Sequence, residues 1–339
     1  MEYKGTLVTI LMPVYNGEKF LREAIDSILN QTFKDFEFLI INDASTDTTE
    51  DIILSYTDPR IKYIKNETNI KVTATLNRGL KLIKTKYIAR MDADDISLPH
   101  RIATQVALME NREDITLCGS GRLTFKSDME GTEEEVKTIC DEKQLLIHSL
   151  FNTSISHPSI MMRTSVLQKY KIIYNEDYIY AQDKAMWLEL SQYGTIYNIK
   201  EPLIKYRLHS DQVTNKHEAI SRQNSVKITQ NALRKLGVKI DDNELFALML
   251  LCYPQSCIKL KNFFTADRIA HRILRILKLN HNFDFKYLKS YLVNRLTRIV
   301  VYSSSTGYPI LFFILLNRKL TLLKFGREFY RKTLFKIPK

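Results

Sequence analysis

Short apolar runs alternate with amphipathic stretches along the first third of the chain. Short, mainly apolar runs, which predict buried strands, occur at Leu7–Met12, Phe36–Ile41, Ile61–Ile64 and Tyr87–Met91. Apolar residues at helical spacing predict helices over Glu18–Leu29 and Val72–Ile83, and small polar and acidic residues predict a helix start near Thr46. Because strands that alternate with helices pair in parallel, we predict a doubly wound α/β sheet with helices on both faces.

The pattern becomes more mixed beyond residue 95. It predicts a helix over Leu98–Met109 with Pro99 in its first turn, and an amphipathic helix over Ala181–Tyr193. Ile115–Cys118 and Arg122–Phe125 are predicted to be two strands around Gly119-Ser-Gly121, and Glu133–Glu135 to open a polar helix. From about residue 217 the pattern is helical almost throughout.

Polar residues follow each of the first four predicted strands. They are Tyr15 and Asn16, Asp43, Asn66 and Asn69, and Asp92, Asp94 and Asp95. Ligands of such sheets bind at the carboxyl ends of the strands, so we expect these residues to form one site. The chain has neither G-x-G-x-x-G nor a Walker-type loop. A divalent cation on carboxylates, Mn²⁺ or Mg²⁺, is the usual substitute for neutralising a diphosphate.

The ordered motifs of residues 6–215 resemble those of family 2 glycosyltransferases of the GT-A fold. The resemblance is carried by Val8-Thr-Ile-Leu-Met-Pro-Val-Tyr-Asn16, Ile40-Ile-Asn-Asp-Ala-Ser-Thr-Asp47, Tyr87-Ile-Ala-Arg-Met-Asp-Ala-Asp-Asp95, Asn77-Arg-Gly79, His157-Pro-Ser159, Ala181-Gln-Asp183 with Trp187, and Tyr206-Arg-Leu-His209. It implies a GT-A (Rossmann-like), mostly parallel sheet that binds a nucleotide-sugar.

The resemblance implies roles for individual residues. Asp183 stands where the family has its catalytic base, and Asp94 and His209 stand at the metal. The implied nucleotide-sugar contacts are Pro13, Val14, Tyr15, Asn16, Asp43, Asn69, Arg78, Asp92 and Arg207. Among these, Asp43 would accept a hydrogen bond from a pyrimidine ring, which favours UDP, and Arg207 and His209 would close over the diphosphate from a loop.

The chain departs from the family pattern at several positions. Gln182 stands where an acid usually precedes the base, and Ala185 where another acid is common. A glycine expected near Lys71 is absent, as is a basic residue near Ala74. These departures weaken Asn69 and Arg78 as donor contacts but remove neither the base nor the metal ligands.

Some residues allow a simpler interpretation. Asp43 could cap the helix that directly follows it, and Asp183 could be an ordinary acid in a first helical turn. Trp187 is better interpreted as a core anchor than as a platform for a sugar. His157, which precedes Pro158, could simply define the start of a strand.

The resemblance implies an inverting glycosyltransferase that moves a hexosyl or N-acetylhexosaminyl group to a glycan or lipid-linked glycan, in the synthesis of a surface polysaccharide such as capsule or O-antigen. We expect a catalytic domain over residues 1–215, in which residues 1–95 bind the donor and residues 96–215 bind the acceptor, and a helical basic region over residues 216–339. The alternatives are a non-catalytic sugar-nucleotide or membrane-binding module and a nucleotidyltransferase. The latter normally has a Gly-rich loop after its first strand, which Pro13–Gly17 does not supply.

Positive charge is concentrated at the C-terminal end. Residues 259–339 contain 18 lysines and arginines against three acids, in a chain of net charge +12. Arg268, Arg272 and Arg275 recur at helical spacing opposite isoleucines and leucines, which predicts contact with an anionic membrane surface, or else a helical subdomain with its basic face in water. Net charge alone also fits nucleic acid, but no nucleic-acid motif accompanies it, and we expect no such partner.

Cysteine use and hydrophobicity favour a protein of the cytoplasm that binds the cytoplasmic face of the inner membrane peripherally. The four cysteines have no metal-ligand spacing, which fits a reducing compartment. No signal peptide is predicted, and the apolar run Ile310–Leu316 is too short to span a bilayer.

Overall fold

The computed structural model describes residues 5–126, 131–210, 212, 217–254 and 260–304. The chain forms two compact units. Unit 1 contains Met1–Ser149 and Thr153–Ser221, and unit 2 contains Leu150–Asn152 and Arg222–Lys339.

Unit 1 is built on a single mixed sheet. Its strands are β1 (Val8–Val14), β2 (Phe36–Asn42), β3 (Ile61–Lys65), β4 (Tyr87–Arg90), β5 (Ile96–Ser97), β6 (Ile115–Phe125), β7 (Glu134–Val136), β8 (Met161–Arg163) and β9 (Thr195–Arg207). The order across the sheet is β3-β2-β1-β4-β8-β6-β9-β5, with β7 beside β6. The pairs among β3, β2, β1 and β4 are parallel, and so is the β6–β9 pair. The predicted α/β sheet is therefore confirmed, and short antiparallel strands complete it.

Helices cover both faces of this sheet. They are α1 (Leu21–Leu29), α2 (Thr49–Leu54), α3 (Lys71–Leu82), α4 (Arg101–Asn111), α5 (Glu142–Phe151), α6 (Thr164–Tyr170) and α7 (Gln182–Leu190). Alternate residues of β1 point to opposite sides: Ile10 and Met12 belong to one apolar cluster, and Leu11 to the other. A sheet covered on both faces explains why the central strands are mainly apolar rather than alternating in the sequence.

Two predictions for residues 115–136 are wrong. Residues 115–125 form the single strand β6, because Gly119 and Gly121 serve close packing within the strand. A Cβ on Gly119 would lie 2.2 Å from Ile155 Cγ2, and one on Gly121 would lie 2.6 Å from the Lys200 carbonyl oxygen. The acidic stretch that predicted a helix forms β7 instead, because Arg122–Thr124 of β6 supply an antiparallel partner.

All the regular secondary structure described in unit 2 is helical. Its helices are α8 (Glu218–Lys235, which begins in unit 1), α9 (Leu245–Cys252), α10 (Leu260–Leu277) and α11 (Phe285–Ser304). On the apolar side of α10, Ile269 and Ile273 are completely buried. This corrects the expectation that those residues face a membrane. The run Ile310–Leu316 and the other basic and aromatic residues beyond 304 lie outside the described residues.

Candidate active site

Three carboxylates gather at the turn that follows β4. Asp92, Asp94 and Asp95 each offer an oxygen, and these oxygens lie within 4.8 Å of one another. The turn is held from α4, since the Arg101 guanidinium donates to the carbonyl oxygen of Arg90 at 2.7 Å. Arg90 in turn forms an ion pair with Asp92. The acidic cluster therefore lies at the carboxyl end of a central strand, where α/β sheets bind ligands.

The electrostatics of this cluster fit a divalent cation. Burial and the neighbouring charges of Asp94 and Asp92 raise the pKa of Asp95 well above its usual value. Burial also raises the pKa of Asp92, against the effect of Arg90. Asp95 Oδ2 is buried and has no hydrogen-bond partner among the described residues. A bound cation would relieve the repulsion among the three carboxylates and would give Asp95 Oδ2 a partner. Carboxylate oxygens are the ligands that Mn²⁺ and Mg²⁺ prefer.

Arg207 closes one side of the acidic cluster. Its backbone N–H donates to Asp95 Oδ1 at 2.9 Å, and its Nε donates to the Asp94 carbonyl oxygen at 2.7 Å. The guanidinium lies between the rings of Phe20 and Phe125, at 4.4 and 4.6 Å from their centroids. Arg207 is the last residue of β9 and is 1% exposed, so the expectation that it belongs to a loop is wrong.

His209 also reaches the acidic cluster. Its Nε2 lies 3.0 Å from Asp94 Oδ2, and its ring packs on Phe20 at a centroid distance of 5.0 Å. The structure thus brings together the two residues that the sequence assigned to a metal, although 115 positions separate them.

Asp43 is engaged by the start of α3. Its Oδ1 accepts hydrogen bonds from Asn66 Nδ2 at 2.6 Å and from the N–H of Ile70 at 2.9 Å. Its Oδ2 accepts from the N–H of Lys71 at 2.9 Å. The interpretation of Asp43 as a cap for the helix directly after it is therefore wrong, because the helix that it caps is α3.

The other predicted nucleotide contacts surround Asp43. Pro13 and Val14 end β1 and are buried, whereas Tyr15 is 50% exposed. Asn16 has a left-handed backbone (φ 50°) and its Oδ1 accepts from the N–H of Thr46 at 2.8 Å. Such a conformation is uncommon outside glycine and is frequent at binding sites.

Asn69 contacts the start of α3, and Arg78 contacts the end of β3. Asn69 Oδ1 accepts from the N–H of Lys71 at 3.3 Å. Arg78 is exposed and donates to the carbonyl oxygen of Lys65 at 3.1 Å and to Asn66 Oδ1. Arg78, Asn66 and Asp43 are thereby linked in one chain of hydrogen bonds.

Asp183 is the second residue of α7 and keeps some of its surface exposed. Burial raises the pKa of its carboxyl group, against the opposing effects of the Lys184 backbone amide and the Arg90 charge. A carboxylate with a raised pKa is a stronger base than an ordinary aspartate. Trp187, one turn further along α7, is completely buried, in agreement with its interpretation as a core anchor.

Sequence reasoning missed several residues of the site. Phe20, Phe125 and Glu23 surround the Arg207 guanidinium, and Glu23 Oε2 accepts from it at 2.6 Å. Tyr174 was also missed, although it feels the charges of both Asp183 and Asp92. Only Phe20 and Glu23 could have been found from the sequence, since they follow the carboxyl end of the first predicted strand, where the site is expected.

Comparisons with known proteins agree with this architecture. Residues 9–171 match the model of the family described as glycosyl transferase family 2. An uncharacterized glycosyltransferase of Haemophilus influenzae is 36% identical over 247 residues, which cover 69% of this chain and 76% of the relative. EpsE of Bacillus subtilis, a glycosyltransferase by inference, is 34% identical over 246 residues, which cover 70% of this chain and 86% of EpsE.

Solved structures share the fold. Residues 1–349 of S. aureus TarS in complex with UDP-GlcNAc give a TM-score of 0.59 at 14% identity, covering 89% of this chain and 91% of that one. The mannosyltransferase PcManGT of Pyrobaculum calidifontis gives a TM-score of 0.52 at 15% identity, covering 88% of both chains. The fold is thus GT-A, and the chain is a glycosyltransferase that belongs to glycosyl transferase family 2.

Proposed function

We propose that the protein transfers a sugar from a nucleoside-diphosphate donor to a hydroxyl of a glycan or lipid-linked glycan, with inversion and with a divalent cation. The observation that carries the proposal is the division of the site into two acidic groups. Asp92, Asp94 and Asp95 form a tight cluster that fits a cation, and Asp183 is a separate carboxylate with a raised pKa. An inverting transfer needs both a positive charge at the leaving diphosphate and a base at the acceptor hydroxyl.

The residues of the chain would act as follows. Asp94 and His209, with Asp92 and Asp95 beside them, would hold Mn²⁺ or Mg²⁺, which supplies a Lewis acid for the departing diphosphate. Asp183 would accept the proton of the acceptor hydroxyl. Arg207 would hold the acidic turn in place through its hydrogen bonds to Asp94 and Asp95. Arg78 would add positive charge near the nucleotide.

UDP is the proposed nucleotide, and Asp43 its pyrimidine contact, with Pro13, Val14, Tyr15, Asn16 and Asn69 around it. Asp43 retains acceptor capacity beyond its bonds to Asn66, Ile70 and Lys71, since each carboxylate oxygen has two lone pairs. Relatives by fold support a nucleotide-sugar donor: TarS has structures with UDP-GlcNAc and UDP, and PcManGT one with GDP-Man and Mn²⁺. The proposed product is a surface polysaccharide such as capsule or O-antigen.

The test is release of nucleoside diphosphate from a panel of UDP- and GDP-sugars with Mn²⁺, with and without EDTA. We expect slow hydrolysis of one UDP-sugar, abolished by EDTA. Release of pyrophosphate instead would indicate a nucleotidyltransferase. Nucleotide binding without release from any donor would favour a non-catalytic module, a possibility that Gln182 raises because its buried Oε1 has no hydrogen-bond partner among the described residues.

We also propose a purely electrostatic contact between unit 2 and an anionic membrane. No helix within the described residues is both long and apolar enough to span a bilayer. Because Ile269 and Ile273 of α10 are buried, the exposed cations Arg268 and Arg275 of α10, and Lys278 directly after it, remain for this contact. Binding to phosphatidylglycerol vesicles should weaken with salt and on charge removal at Arg268 and Arg275, while Arg272→Gln, which breaks a pair with Glu244, serves as a control. Salt-insensitive pelleting would contradict the proposal.

A further inference from the structure

The imidazole of His157 lies beside the helix that carries Asp183. His157 begins a 3₁₀ turn, His157–Ser159, that precedes β8. Its ring meets Trp187 edge-on, with a centroid distance of 5.5 Å and an interplanar angle of 74°. Trp187 follows Asp183 by one helical turn. His157 is therefore placed next to the proposed base by packing.

One nitrogen of this ring is held by a rigidly placed tyrosine. His157 Nε2 lies 2.9 Å from the hydroxyl of Tyr174. The backbone of Tyr174 is itself clamped by Asn77 of α3, whose Nδ2 donates to the Tyr174 carbonyl and whose Oδ1 accepts from the Tyr174 N–H, both at 2.9 Å. The orientation of the imidazole is thus set from a helix 80 positions earlier.

The hydrogen bond to Tyr174 identifies the tautomer of His157. Tyr174 is 1% exposed, and among the described residues its hydroxyl meets no acceptor other than His157. Burial raises the pKa of Tyr174 and lowers that of His157, so the phenol keeps its proton and the imidazole is neutral. The phenol therefore donates to Nε2, and the ring proton resides on Nδ1.

Among the described residues, no acceptor lies within hydrogen-bond distance of this Nδ1–H. Nδ1 is also not one of the fully buried polar atoms that lack a partner, so part of its surface is accessible. The His157 side chain is partly exposed, whereas Pro158 and Ser159 after it are buried. Besides burial, the charges of Asp183 and Asp92 are near enough to raise the pKa of Tyr174, so the His157–Tyr174 pair lies in the neighbourhood of the base and of the acidic cluster. An accessible donor on this ring is therefore available to a ligand bound in that neighbourhood.

Resting on the function proposed above, we propose that His157 is a substrate-contacting residue whose Nδ1–H donates a hydrogen bond to a sugar hydroxyl. The hydroxyl belongs either to the transferred sugar or to the acceptor sugar. Because a fixed donor rejects a hydroxyl of the wrong orientation, His157 would contribute to sugar specificity.

Two amide substitutions separate contact from support. The amide nitrogen of asparagine falls close to the position of histidine Nδ1, and that of glutamine close to Nε2. We expect His157→Ala and His157→Gln to lower kcat/KM about tenfold, the loss of one neutral hydrogen bond, and His157→Asn to restore most of it. His281→Asn, at an exposed position of unit 2, is the matched control and should leave kcat/KM unchanged.

Donor hydrolysis without acceptor distinguishes the two sources of the hydroxyl. If the transferred sugar is contacted, both hydrolysis and transfer fall in His157→Ala. If the acceptor is contacted, hydrolysis is retained and the KM for acceptor rises. Either pattern supports the contact, provided that His157→Asn recovers it.

Three outcomes overturn the inference. Full activity of all three variants excludes a contact. Rescue by His157→Gln alone would mean that the ring only supports Tyr174. Equal loss in all three variants with unchanged thermal unfolding would mean that a donor at the Nδ1 position is not what the reaction needs. Wild-type protein that turns over no nucleotide-sugar would instead refute the proposed function itself, together with this inference.

Discussion

Lys71 donates its backbone N–H to Asp43 Oδ2 at 2.9 Å from a left-handed backbone conformation with φ of 71°. The residue type is unfavourable there, because a Cβ in this region crowds the neighbouring carbonyl oxygen. The position is the one near which the family pattern has a glycine. The chain therefore maintains the geometry around Asp43 despite conformational strain.

Replacing Lys71 by glycine should accordingly stabilise the protein. We expect Lys71→Gly to raise the free energy of unfolding by about 0.5 to 1 kcal/mol, since relief of the left-handed strain exceeds the extra chain entropy of glycine. Lys81→Gly, in the last turn of the same helix, should lower it by about 1 kcal/mol. Urea unfolding of both variants measures the difference, and equal effects of one sign would contradict the argument.

Removal of the Asp94 charge should abolish turnover. Asp94→Asn removes a charged ligand of the cation and so weakens cation binding. We therefore expect donor hydrolysis to fall at least roughly 100-fold, and the Mn²⁺ concentration needed for activity to rise. Asp51→Asn on α2, an exposed acid of the same unit, should change neither quantity. Unaltered Mn²⁺ dependence in Asp94→Asn would show that the cation binds elsewhere.

The raised pKa of Asp183 should appear in the pH profile of transfer. The base must be ionised to act, so the acidic limb of kcat/KM should lie above the usual aspartate value of 3.8. Asp183→Asn should lower transfer by roughly 10²- to 10⁴-fold at all pH values. An acidic limb at or below the usual value would contradict the effect of burial.

Stability should respond to the same group in the opposite sense. As pH rises past the usual aspartate value, the unfolded chain ionises while folded Asp183 still holds its proton, so this group costs folded stability at neutral and high pH. Asp183→Asn removes that cost. We expect a higher melting temperature than wild type at pH 8, and a gap that shrinks as the pH falls toward the usual aspartate value; a gap that grows on acidification would reverse the sign.

Arg207 should matter for stability far more than its ion-pair partner. Glu23 is 59% exposed at its side chain, so solvent screens the pair and Glu23→Gln should cost less than about 1 kcal/mol. Arg207→Met also loses the bond to the Asp94 carbonyl and the contacts with two aromatic rings, and should cost about 2 to 3 kcal/mol. Similar losses in chemical unfolding would assign the stability to the ion pair instead.

The sequence predicted those elements of the fold whose signals are local. β1, β2 and β4 are buried almost throughout and therefore appear as mainly apolar runs, and the acidic turn follows β4 directly. β6 was divided in two because glycines usually mark turns, whereas Gly119 and Gly121 are needed for close packing with residues far along the chain. β7 could not be predicted from its own acidic residues, because it is a strand only through its pairing with β6.

Only part of the geometry of the candidate site could be expected from the sequence. Ordered motifs point to Asp94, His209 and Asp183, whose roles stay predictions, and the strand end at β4 places Asp94 with Asp92 and Asp95. The contacts of Arg207 with Glu23, Phe20 and Phe125 could not be expected, because they join side chains of separate elements across long stretches of chain. The same holds for Asn77 and Tyr174, which are 97 positions apart.

The position of Arg207 at the end of β9 has a consequence for the order of events during synthesis. Asp92, Asp94 and Asp95 leave the ribosome more than a hundred residues before the strand whose last residue satisfies Asp95 and supports their turn. A nascent chain that ends before β9 has the three neighbouring carboxylates but lacks the hydrogen bonds that Arg207 donates to their turn. The acidic turn should therefore become able to bind a cation only late in synthesis, when β9 inserts beside β6. Chains that end before β9 should accordingly be inactive.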